Sequence, residues 1–491
     1  NNNNNNNNII NNRNMKMYKV KQDITSIMED TISPLDGRYY EKTKELRHYF
    51  SEKSFFKYRF YVEIMYFLKL IDIDSLPELY MDNLKKKELT TQLMSYYENF
   101  GDLDYIAIKN FENTTKHDIK ALEYYIQDIF TKIKLKEYIP FIHFGITSQD
   151  INTSANILSL KYSMNDVVIP QLTKIINILD VYKNEMSNTA MLSFTHGQPA
   201  VPTTMGKELN VYSYRLKQQL ENLQNIVYST KFGGAVGNFN AHNLAYPNID
   251  WNKFADDFVE NDLGLKRELC TTQISNYDNL CNLFNLIKTI NNIVNDLNID
   301  CWLYISKGYL KQRINENETG SSTMPHKVNP INFENSEGNI CIANSLIEGI
   351  TRKLPVSRLQ RDLTDSTILR NIGSTIGYCL ISYKSTLEGL HKISLNDELI
   401  KDELEQNVII VSEGIQTVMR KHKVENSYEK LKKITRANNR TNNRTNNRTN
   451  NRTNNRTSEE DIQKYIQTLD DKIKKELLLL NVHNYVGYSK M

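Results

Sequence analysis

Cysteine, proline and glycine are scarce in this sequence, and its apolar runs are short. Five cysteines occur among 491 residues, and none forms a CxxC pair. An odd number without paired spacing argues against a disulfide framework. All five lie in segments with helical patterning, so we predict reduced thiols buried in a helical core and a cytoplasmic protein. No apolar run approaches the roughly 20 residues needed to cross a bilayer, and we therefore predict no membrane partner.

An excess of charge of one sign is also missing. The 61 Lys and Arg residues nearly balance the 58 Asp and Glu residues, which leaves a formal net charge of +3. This balance does not favour a nucleic-acid partner, but it allows a local basic site for an anionic ligand. The sequence has no Gly-x-Ser-x-Gly elbow and no Walker lysine loop, so it indicates neither acyl nor phosphoryl transfer. Without a His-Glu-x-x-His motif or a CxxC pair, no metal site is indicated.

Long helices are the main structural expectation. The 18 glycines and 10 prolines cluster at a few junctions, and the stretches between them carry apolar residues at helical spacing. The longest stretches are residues 151–186, 202–228, 276–305 and 364–393. A helix of about 35 residues is roughly 50 Å long, which exceeds the need of a compact domain and indicates an elongated bundle. The apolar face is too wide for a coiled-coil seam, so we predict an all-α fold.

We predict three helical domains in sequence order. They are an N-terminal domain at residues 25–142, a central long-helix bundle at residues 143–390 and a C-terminal domain at residues 391–491. Two tracts fall outside this pattern: an Asn-rich start at residues 1–24 and five Asn-Asn-Arg-Thr units at residues 438–457. A polar repeat has nothing to bury, so we predict a disordered insertion in a surface loop. RNA binding by its arginines is a less favoured alternative.

Two short motifs have the spacing of helix N-terminal caps. Thr115 with Asp118, and Thr147 with Asp150, resemble capping boxes. The first would place Lys116 and His117 in an opening helical turn, where free N–H groups and the helix dipole favour an anion. In the second motif, residues 143–150, the small hydroxyls suit a carboxylate or phosphate. Taken alone, each motif is more often a plain cap than an anion site.

Three further segments carry groups suited to catalysis. His196, between Thr195 and Gly197, is poorly explained by packing and can transfer a proton to a leaving nitrogen. The loop Gly-Ser-Ser-Thr-Met-Pro-His-Lys-Val-Asn-Pro at residues 320–330 offers a cation, an amide and backbone donors beside serines. Such a loop can stabilise a carboxylate that gains charge as a carbanion forms. Arginines and hydroxyls at residues 358–370 suit a phosphate, although a salt-bridged surface turn is the simpler reading.

Together these motifs resemble the fumarase/aspartase superfamily and, within it, the adenylosuccinate lyase family. The loop at residues 320–330 looks like the signature loop of the superfamily. Further matching segments are residues 33–39, 114–123, 195–199, 234–238 and 353–371. The resemblance spans about residues 25–435 and 458–490, and it leaves out both Asn-rich tracts.

The resemblance implies a reaction and an assembly. The reaction is anti β-elimination of fumarate from adenylosuccinate to give AMP, and from succinyl-aminoimidazole carboxamide ribotide, in purine nucleotide biosynthesis and salvage. No cofactor is implied. The assembly is a homotetramer built on a central helical bundle, in which three subunits contribute to each active site.

The resemblance also implies roles for individual residues. Ser321 would be the general base that takes the proton from the succinyl β-carbon, and Lys327 and Asn329 would hold the resulting carboxylate dianion. His196 would be the general acid for the departing amine, and His117 would assist near the phosphate or the acid. The choice of Ser321 over Ser322 rests on the family pattern alone. The implied substrate-binding residues are Arg38, Tyr39, Lys116, Asp118, Thr147, Ser148, Gln273, Met324, Asn335, Arg361, Ser366 and Arg370.

Two other functions compete with this expectation. One is a different fumarate-releasing activity, such as that of argininosuccinate lyase; the arginine-rich segments and His117 favour a phosphorylated substrate instead. The other is a structural relative without activity, against which the intact Ser321, His196, Lys327 and Asn329 argue.

Overall fold

The computed structural model describes residues 30–313, 327–437 and 459–489. In these ranges helices dominate, which confirms the predicted all-α class. No helix among the described residues is long and apolar enough to cross a membrane. The chain divides into two compact units, each built from three chain segments. Unit 1 comprises Asn1–Leu172, Gln219–Asn292 and Gly338–Lys384, and unit 2 comprises Thr173–Gln218, Ile293–Glu337 and Ser385–Met491.

The first half of the described chain contains mostly helices of moderate length. Its helices are α1 (Tyr40–Thr43), α2 (Arg47–Phe50), α3 (Glu52–Leu70), α4 (Asn83–Glu98), α5 (Asp102–Thr115), α6 (Asp118–Lys132), α7 (Ser148–Ser163), α8 (Ile169–Glu185), α9 (Met205–Gln224), α10 (Asn240–Ala245) and α11 (Trp251–Asp257). Single 3₁₀ turns lie at Lys44–Leu46, Pro77–Leu79 and Lys136–Phe141, and π-helical turns at Met164–Val168 and Phe258–Asp262.

The second half of the described chain contains the longest helices. Three small sheets are spread over the described chain as a whole. The remaining helices are α12 (Asp278–Ser306), α13 (Ile331–Lys353), α14 (Thr364–Leu369), α15 (Ile372–Leu390), α16 (Asp397–Glu405), α17 (Ser412–Lys421), α18 (Ser427–Ala437), α19 (Glu459–Gln467) and α20 (Asp471–Leu477), with a 3₁₀ turn at Val408–Val411. The strands pair as β1 (Ala190–Thr195) with β2 (Gln198–Thr204), β3 (Ser229–Thr230) with β4 (Lys266–Arg267), and β5 (Leu310–Gln312) with β6 (Ile393–Leu395).

Each unit has its own apolar core. In unit 1, α3 buries side chains around most of its circumference and packs against α7. Phe67 of α3 meets Phe130 of α6 edge to face, with ring centroids 4.8 Å apart. The core of unit 2 joins Leu192 of β1 to α16, α17 and the last two helices through residues such as Leu404 and Ile466. The core of unit 1 thus holds in place the helices that carry its candidate functional side chains.

The predicted long helices agree with the structure in three of four cases. Residues 151–186 lie in α7 and α8, which a π-helical turn joins, while α9 and α12 cover most of residues 202–228 and 276–305. Residues 364–393 are not one helix, because the chain breaks between α14 and α15 at Arg370 and Asn371. The small sheets were not predicted. The predicted division into three sequential domains stays a prediction.

One predicted cap is confirmed and the other is wrong. Thr147 and Asp150 form a capping box at the start of α7. Thr115, by contrast, ends α5, because Lys116 takes a left-handed conformation with φ of 54°. His117 is the residue that caps α6: its Nδ1 accepts the Lys120 N–H at 3.2 Å. Thr is the commoner N-cap, so residue preference alone pointed to the wrong position.

The prediction of five buried helical cysteines is wrong for two of them. All five are free thiols; Cys281, Cys301 and Cys379 are buried, but Cys270 and Cys341 are exposed. Cys270 lies in an irregular segment, where its carbonyl accepts the Asn276 side-chain N–H at 3.1 Å, and not in a helix. The tracts at residues 1–24 and 438–457, predicted to be low-complexity and disordered, lie outside the described residues.

Candidate active site

Three polar segments of unit 1, together with residues of α2 and α3, line a cavity of about 690 Å³. They are the start of α6 with the two residues before it, the start of α7, and the chain from residue 361 to the start of α15. The predicted site residues that line this cavity are Lys116, His117, Asp118, Ser148, Arg361, Ser366 and Arg370. Residues from three separate motifs thus meet in one place.

The α5–α6 junction positions the first group. Lys116 in the left-handed region turns the chain sharply, and such backbone strain persists only where the surroundings enforce it. Because His117 Nδ1 accepts the Lys120 N–H, the proton of a neutral ring is assigned to Nε2. The His117 side chain is 57% exposed. Its Nε2–H is therefore available to a ligand in the cavity.

A buried arginine that the sequence analysis missed holds the next residue. Arg59 of α3 donates from Nη2 to Asp118 Oδ2 at 2.7 Å and from Nε to Asn152 Oδ1 at 2.8 Å. Burial opposes ionisation of Asp118, but the Arg59 charge and the Ile119 N–H outweigh it and lower the pKa of Asp118. The signal was present in the sequence, since a charged residue inside an apolar helix needs a partner.

The start of α7 is fixed by a buried carboxylate. Asp150 is fully buried; its Oδ2 accepts the Thr147 N–H at 2.8 Å, and its Oδ1 accepts from Lys231 Nζ at 2.7 Å. Burial lowers the pKa of Lys231, and the charge of Asp150 opposes that shift. Ser148 follows Thr147 directly and lines the cavity at the helix N-terminus, where an anion is favoured. Asn152, Asn156 and Ser159 continue this polar wall along α7.

The segment from residue 361 to the start of α15 carries two arginines of the cavity lining. Arg361 donates from Nη1 to Gln273 Oε1 at 3.0 Å and from Nη2 to Ser366 Oγ at 3.4 Å, while its buried Nε has no partner. Arg370 is exposed to the cavity at the end of α14. The bonds to Gln273 and Ser366 use two of the five guanidinium N–H groups of Arg361, so donors remain for a phosphate or carboxylate, and Arg370 lines the same cavity.

Two histidines with little solvent exposure lie in or near the segment that leads into α7: His143 belongs to it and is 14% exposed, and His242 is fully buried. His143 Nδ1 lies 2.6 Å from Glu63 Oε1; burial alone would lower the pKa of His143, but the Glu63 charge and hydrogen bond raise it overall. His242 contacts the Tyr66 hydroxyl through Nε2 at 2.9 Å, and burial lowers its pKa to about 4. A Cβ added at Gly145 would lie 2.8 Å from the His242 ring, so this position accepts only glycine.

His196 lies at the tip of a hairpin in unit 2. His196 and Gly197 join β1 to β2 and have φ of 52° and 70°, as in the two-residue type I′ turn. Both residues are exposed, as are Thr195 and Gln198 beside them. A non-glycine residue in this region is strained by roughly 1–2 kcal/mol, and the paired strands enforce it here. The His-Gly pair between two short polar-apolar runs was the sequence signal for this unpredicted hairpin.

The other predicted residues lie outside the cavity of unit 1. Lys327 is exposed and Asn329 is half-buried, both just before α13 in unit 2. Asn335 of α13 accepts from Ser385 Oγ at 2.8 Å. Two residues, Arg38 and Tyr39, belong to unit 1 but do not line its cavity. Gln273 does not line the cavity but bonds Arg361, which does. Thr147 caps α7. Ser321 and Met324 lie outside the described residues. Among the described residues no group of three or more His, Cys, Asp or Glu side chains is arranged to hold a metal ion.

Comparison with solved structures identifies the fold. A fumarate lyase from Mesorhizobium sp. BNC1 matches with a TM-score of 0.68 and 14% identity, over 91% of this chain and 96% of that one. A 3-carboxy-cis,cis-muconate lactonizing enzyme from Pseudomonas putida matches with a TM-score of 0.67 and 17% identity, over 91% and 94% of the two chains. A family model described as lyase matches residues 37–343. The fold and this match define a lyase of the fumarase/aspartase superfamily.

More similar sequences narrow the class. A family model described as the adenylosuccinate lyase C-terminal region matches residues 357–451. The chain is 45% identical to the adenylosuccinate lyase of Dictyostelium discoideum over 93% of this chain and 96% of that protein. It is 43% identical to the adenylosuccinate lyase of Buchnera aphidicola subsp. Schizaphis graminum, with the same coverage. The chain belongs to the adenylosuccinate lyase family, as its motifs predicted.

Proposed function

We propose that this protein cleaves adenylosuccinate to AMP and fumarate by anti β-elimination, and that it also cleaves succinyl-aminoimidazole carboxamide ribotide. The observation that carries the proposal is the similarity, over nearly the whole chain, to curated adenylosuccinate lyases. The site in unit 1 supports it, because two arginines, a lysine and a helix N-terminus suit a substrate that bears a phosphate and carboxylates. We place this activity in purine nucleotide biosynthesis and salvage, in the cytoplasm.

In the proposed mechanism Ser321 removes a proton from the carbon next to a succinyl carboxylate. The electron pair of that C–H bond forms the double bond of fumarate as the C–N bond breaks, and the amine nitrogen takes a proton from His196. Lys327 and Asn329 hold the carboxylate that gains charge. One well-placed donor of this kind stabilises such a transition state by about 3–4 kcal/mol, and a general acid contributes roughly 10²–10⁴ in rate.

The described side chains support the anion-binding part of the mechanism. Arg361 and Arg370 would hold the phosphate with Ser366, while Ser148 and the N–H groups at the start of α7 would hold a succinyl carboxylate. His117, with its proton on Nε2, would donate a hydrogen bond to an anionic oxygen of the substrate. Thr147, Asp118, Lys116 and Gln273 would position these groups; Arg38, Tyr39, Met324 and Asn335 complete the proposed binding set. We propose no metal and no cofactor.

We further propose a homotetramer with active sites shared by three subunits. His196 supports this proposal, because it stands at an exposed hairpin tip whose strained conformation has no packing role of its own. Exposed apolar side chains on α12, such as Trp302 and Leu303, would contact sister subunits. Sedimentation equilibrium tests the assembly: a stable monomer with full activity would contradict it.

The direct test follows AMP and fumarate after purified protein is mixed with adenylosuccinate. Turnover is expected for the wild type, and a loss of roughly 100-fold or more is expected for Ser321→Ala and for His196→Ala. His483→Ala is the matched control, because this exposed histidine pairs only with Glu405 in the described chain. Wild-type protein that cleaves argininosuccinate instead would establish the competing lyase activity. Full activity of both site variants would leave the reaction class standing and refute the residue roles.

RNA binding through the Asn-Asn-Arg-Thr units is the separate function that the sequence leaves open. We propose no nucleic-acid partner. Deleting residues 438–457 tests this: unchanged lyase activity together with the loss of an RNA-binding signal would assign the repeats a function of their own.

A further inference from the structure

A glycine-rich loop, residues 233–237, is tied to the start of α7 by one carboxylate. Asp150 Oδ1 accepts the Gly233 N–H at 2.8 Å, and both of its oxygens lie near the Gly234 N–H, at 3.2 and 3.3 Å. The same carboxylate accepts the Thr147 N–H in the capping box. The position of the glycine-rich loop and that of the first turn of α7 therefore depend on the same side chain.

The other end of the glycine-rich loop leads to the arginine wall of the cavity. The Ala235 carbonyl accepts from Gln273 Nε2 at 3.0 Å, and Gln273 Oε1 accepts from Arg361 Nη1 at 3.0 Å. The backbone also approaches closely here, since a Cβ added at Gly237 would lie 2.4 Å from the Thr271 carbonyl oxygen. Hydrogen bonds, joined through the backbone from Gly234 to Ala235, therefore connect the start of α7 to Arg361.

Lys231 bonds both Asp150 and the glycine-rich loop. Its side chain is fully buried, and Nζ donates to Asp150 Oδ1 at 2.7 Å and to the Gly234 carbonyl at 2.5 Å. Burying an ion pair rarely adds stability over an apolar pair of the same size. The Lys231–Asp150 ion pair also bonds the backbone of the glycine-rich loop and so fixes the geometry of that loop. This gives the ion pair a role other than stability.

We propose that Asp150 and Lys231 are positioning residues that set the distance between the start of α7 and Arg361. They thereby fit the cavity to a substrate with two separated anionic groups, one held near Ser148 and the other near Arg361. This inference rests on the proposed function. A misplacement of about 1 Å between binding groups is enough to lower activity by roughly 100-fold, so a small displacement of the glycine-rich loop has a measurable effect.

The test is a double-mutant cycle on kcat/KM with adenylosuccinate. Lys231→Met is expected to raise KM by about tenfold while kcat falls less. Combined with Gln273→Leu, which breaks the same connection further along, its effect should be smaller than the product of the single effects by at least about threefold. Arg370 lines the same cavity but takes no part in these hydrogen bonds. The effects of Lys231→Met and Arg370→Gln on kcat/KM should therefore multiply in the double variant.

Arg267→Met is the matched control, because it breaks the ion pair with Asp256 (Nε to Oδ1, 2.6 Å) outside the cavity lining. It should lower the melting temperature and leave KM unchanged. Asp150→Asn repeats the cycle if Lys231→Met does not fold.

The possible outcomes separate the two proposals. The positioning role would be overturned if the effects of Lys231→Met and Gln273→Leu on kcat/KM multiply in the double variant. It would also be overturned if Lys231→Met is coupled as strongly to Arg370→Gln as to Gln273→Leu, or if neither Lys231→Met nor Asp150→Asn folds. A wild-type protein without turnover would instead refute the proposed function.

Discussion

Acid should destabilise this protein through His242. The ring is fully buried among aromatic side chains, including Trp251 with centroids 4.7 Å apart. Because the Tyr66 hydroxyl donates to the Phe144 carbonyl at 2.7 Å, it accepts from the His242 Nε2–H, and Nδ1 has no partner. Protonation at Nδ1 would place a charge and an unpaired N–H in this surrounding.

The size and direction of the effect follow from the pKa of His242. Burial lowers it from 6.5 to about 4. As the pH falls, His242 takes up a proton in the unfolded chain before it does so in the folded one. The contribution of the neutral ring to the free energy of unfolding is therefore complete above about pH 6.5 and is lost between about pH 6.5 and 4. At about 1.36 kcal/mol per pKa unit the full loss is about 3 kcal/mol. About 2 kcal/mol of it falls between pH 7 and pH 5.

Denaturant unfolding at equal protein concentration measures this loss. The wild type should lose about 2 kcal/mol more than His242→Leu between pH 7 and pH 5. His483→Leu, a substitution at an exposed histidine, should behave like the wild type. Equal losses for the wild type and His242→Leu would refute the reasoning, whatever the difference between the two proteins at pH 7.

Further predictions concern His143, the two glycines Gly145 and Gly197, and Arg361. His143 has the opposite pH dependence: its pKa is raised, so the stability that it contributes is complete below about pH 6.5 and is lost as the pH rises through the folded-state pKa. The stability difference between wild type and His143→Gln should therefore shrink from pH 6 to pH 9. Gly145→Ala should destabilise by about 3 kcal/mol, measured by thermal unfolding, because strain adds to a clash with His242. Gly197→Ala, with a similar φ but nothing within 4 Å of the added Cβ, should cost only about 1 kcal/mol. Arg361→Lys should raise KM for adenylosuccinate by roughly tenfold in steady-state assays, since a lysine cannot bond Gln273 and a ligand in the same plane; an unchanged KM would remove Arg361 from the binding set.

The sequence by itself determined the fold class, the family and the main motifs. Scarce glycine and proline left long helical stretches, and three of the four predicted stretches match the structure because apolar periodicity is a local property. The capping box at Thr147 is local in the same way. At Lys116 the local rule failed, since this residue takes a left-handed conformation and the cap of α6 is His117.

Only the tertiary structure decided which polar residues meet. Arg59 and Asp118 are 59 residues apart, and Asp150 and Lys231 are 81 apart, yet each pair is within hydrogen-bond distance. Spacing along a helix cannot reveal such pairs, because packing brings their elements together. The same holds for the pKa values of His143 and His242, which depend on burial and on neighbours distant in sequence. The sequence shows which functional groups the motifs carry. The hydrogen bonds from Asp150 and Lys231 towards Arg361 form only when the chain has folded.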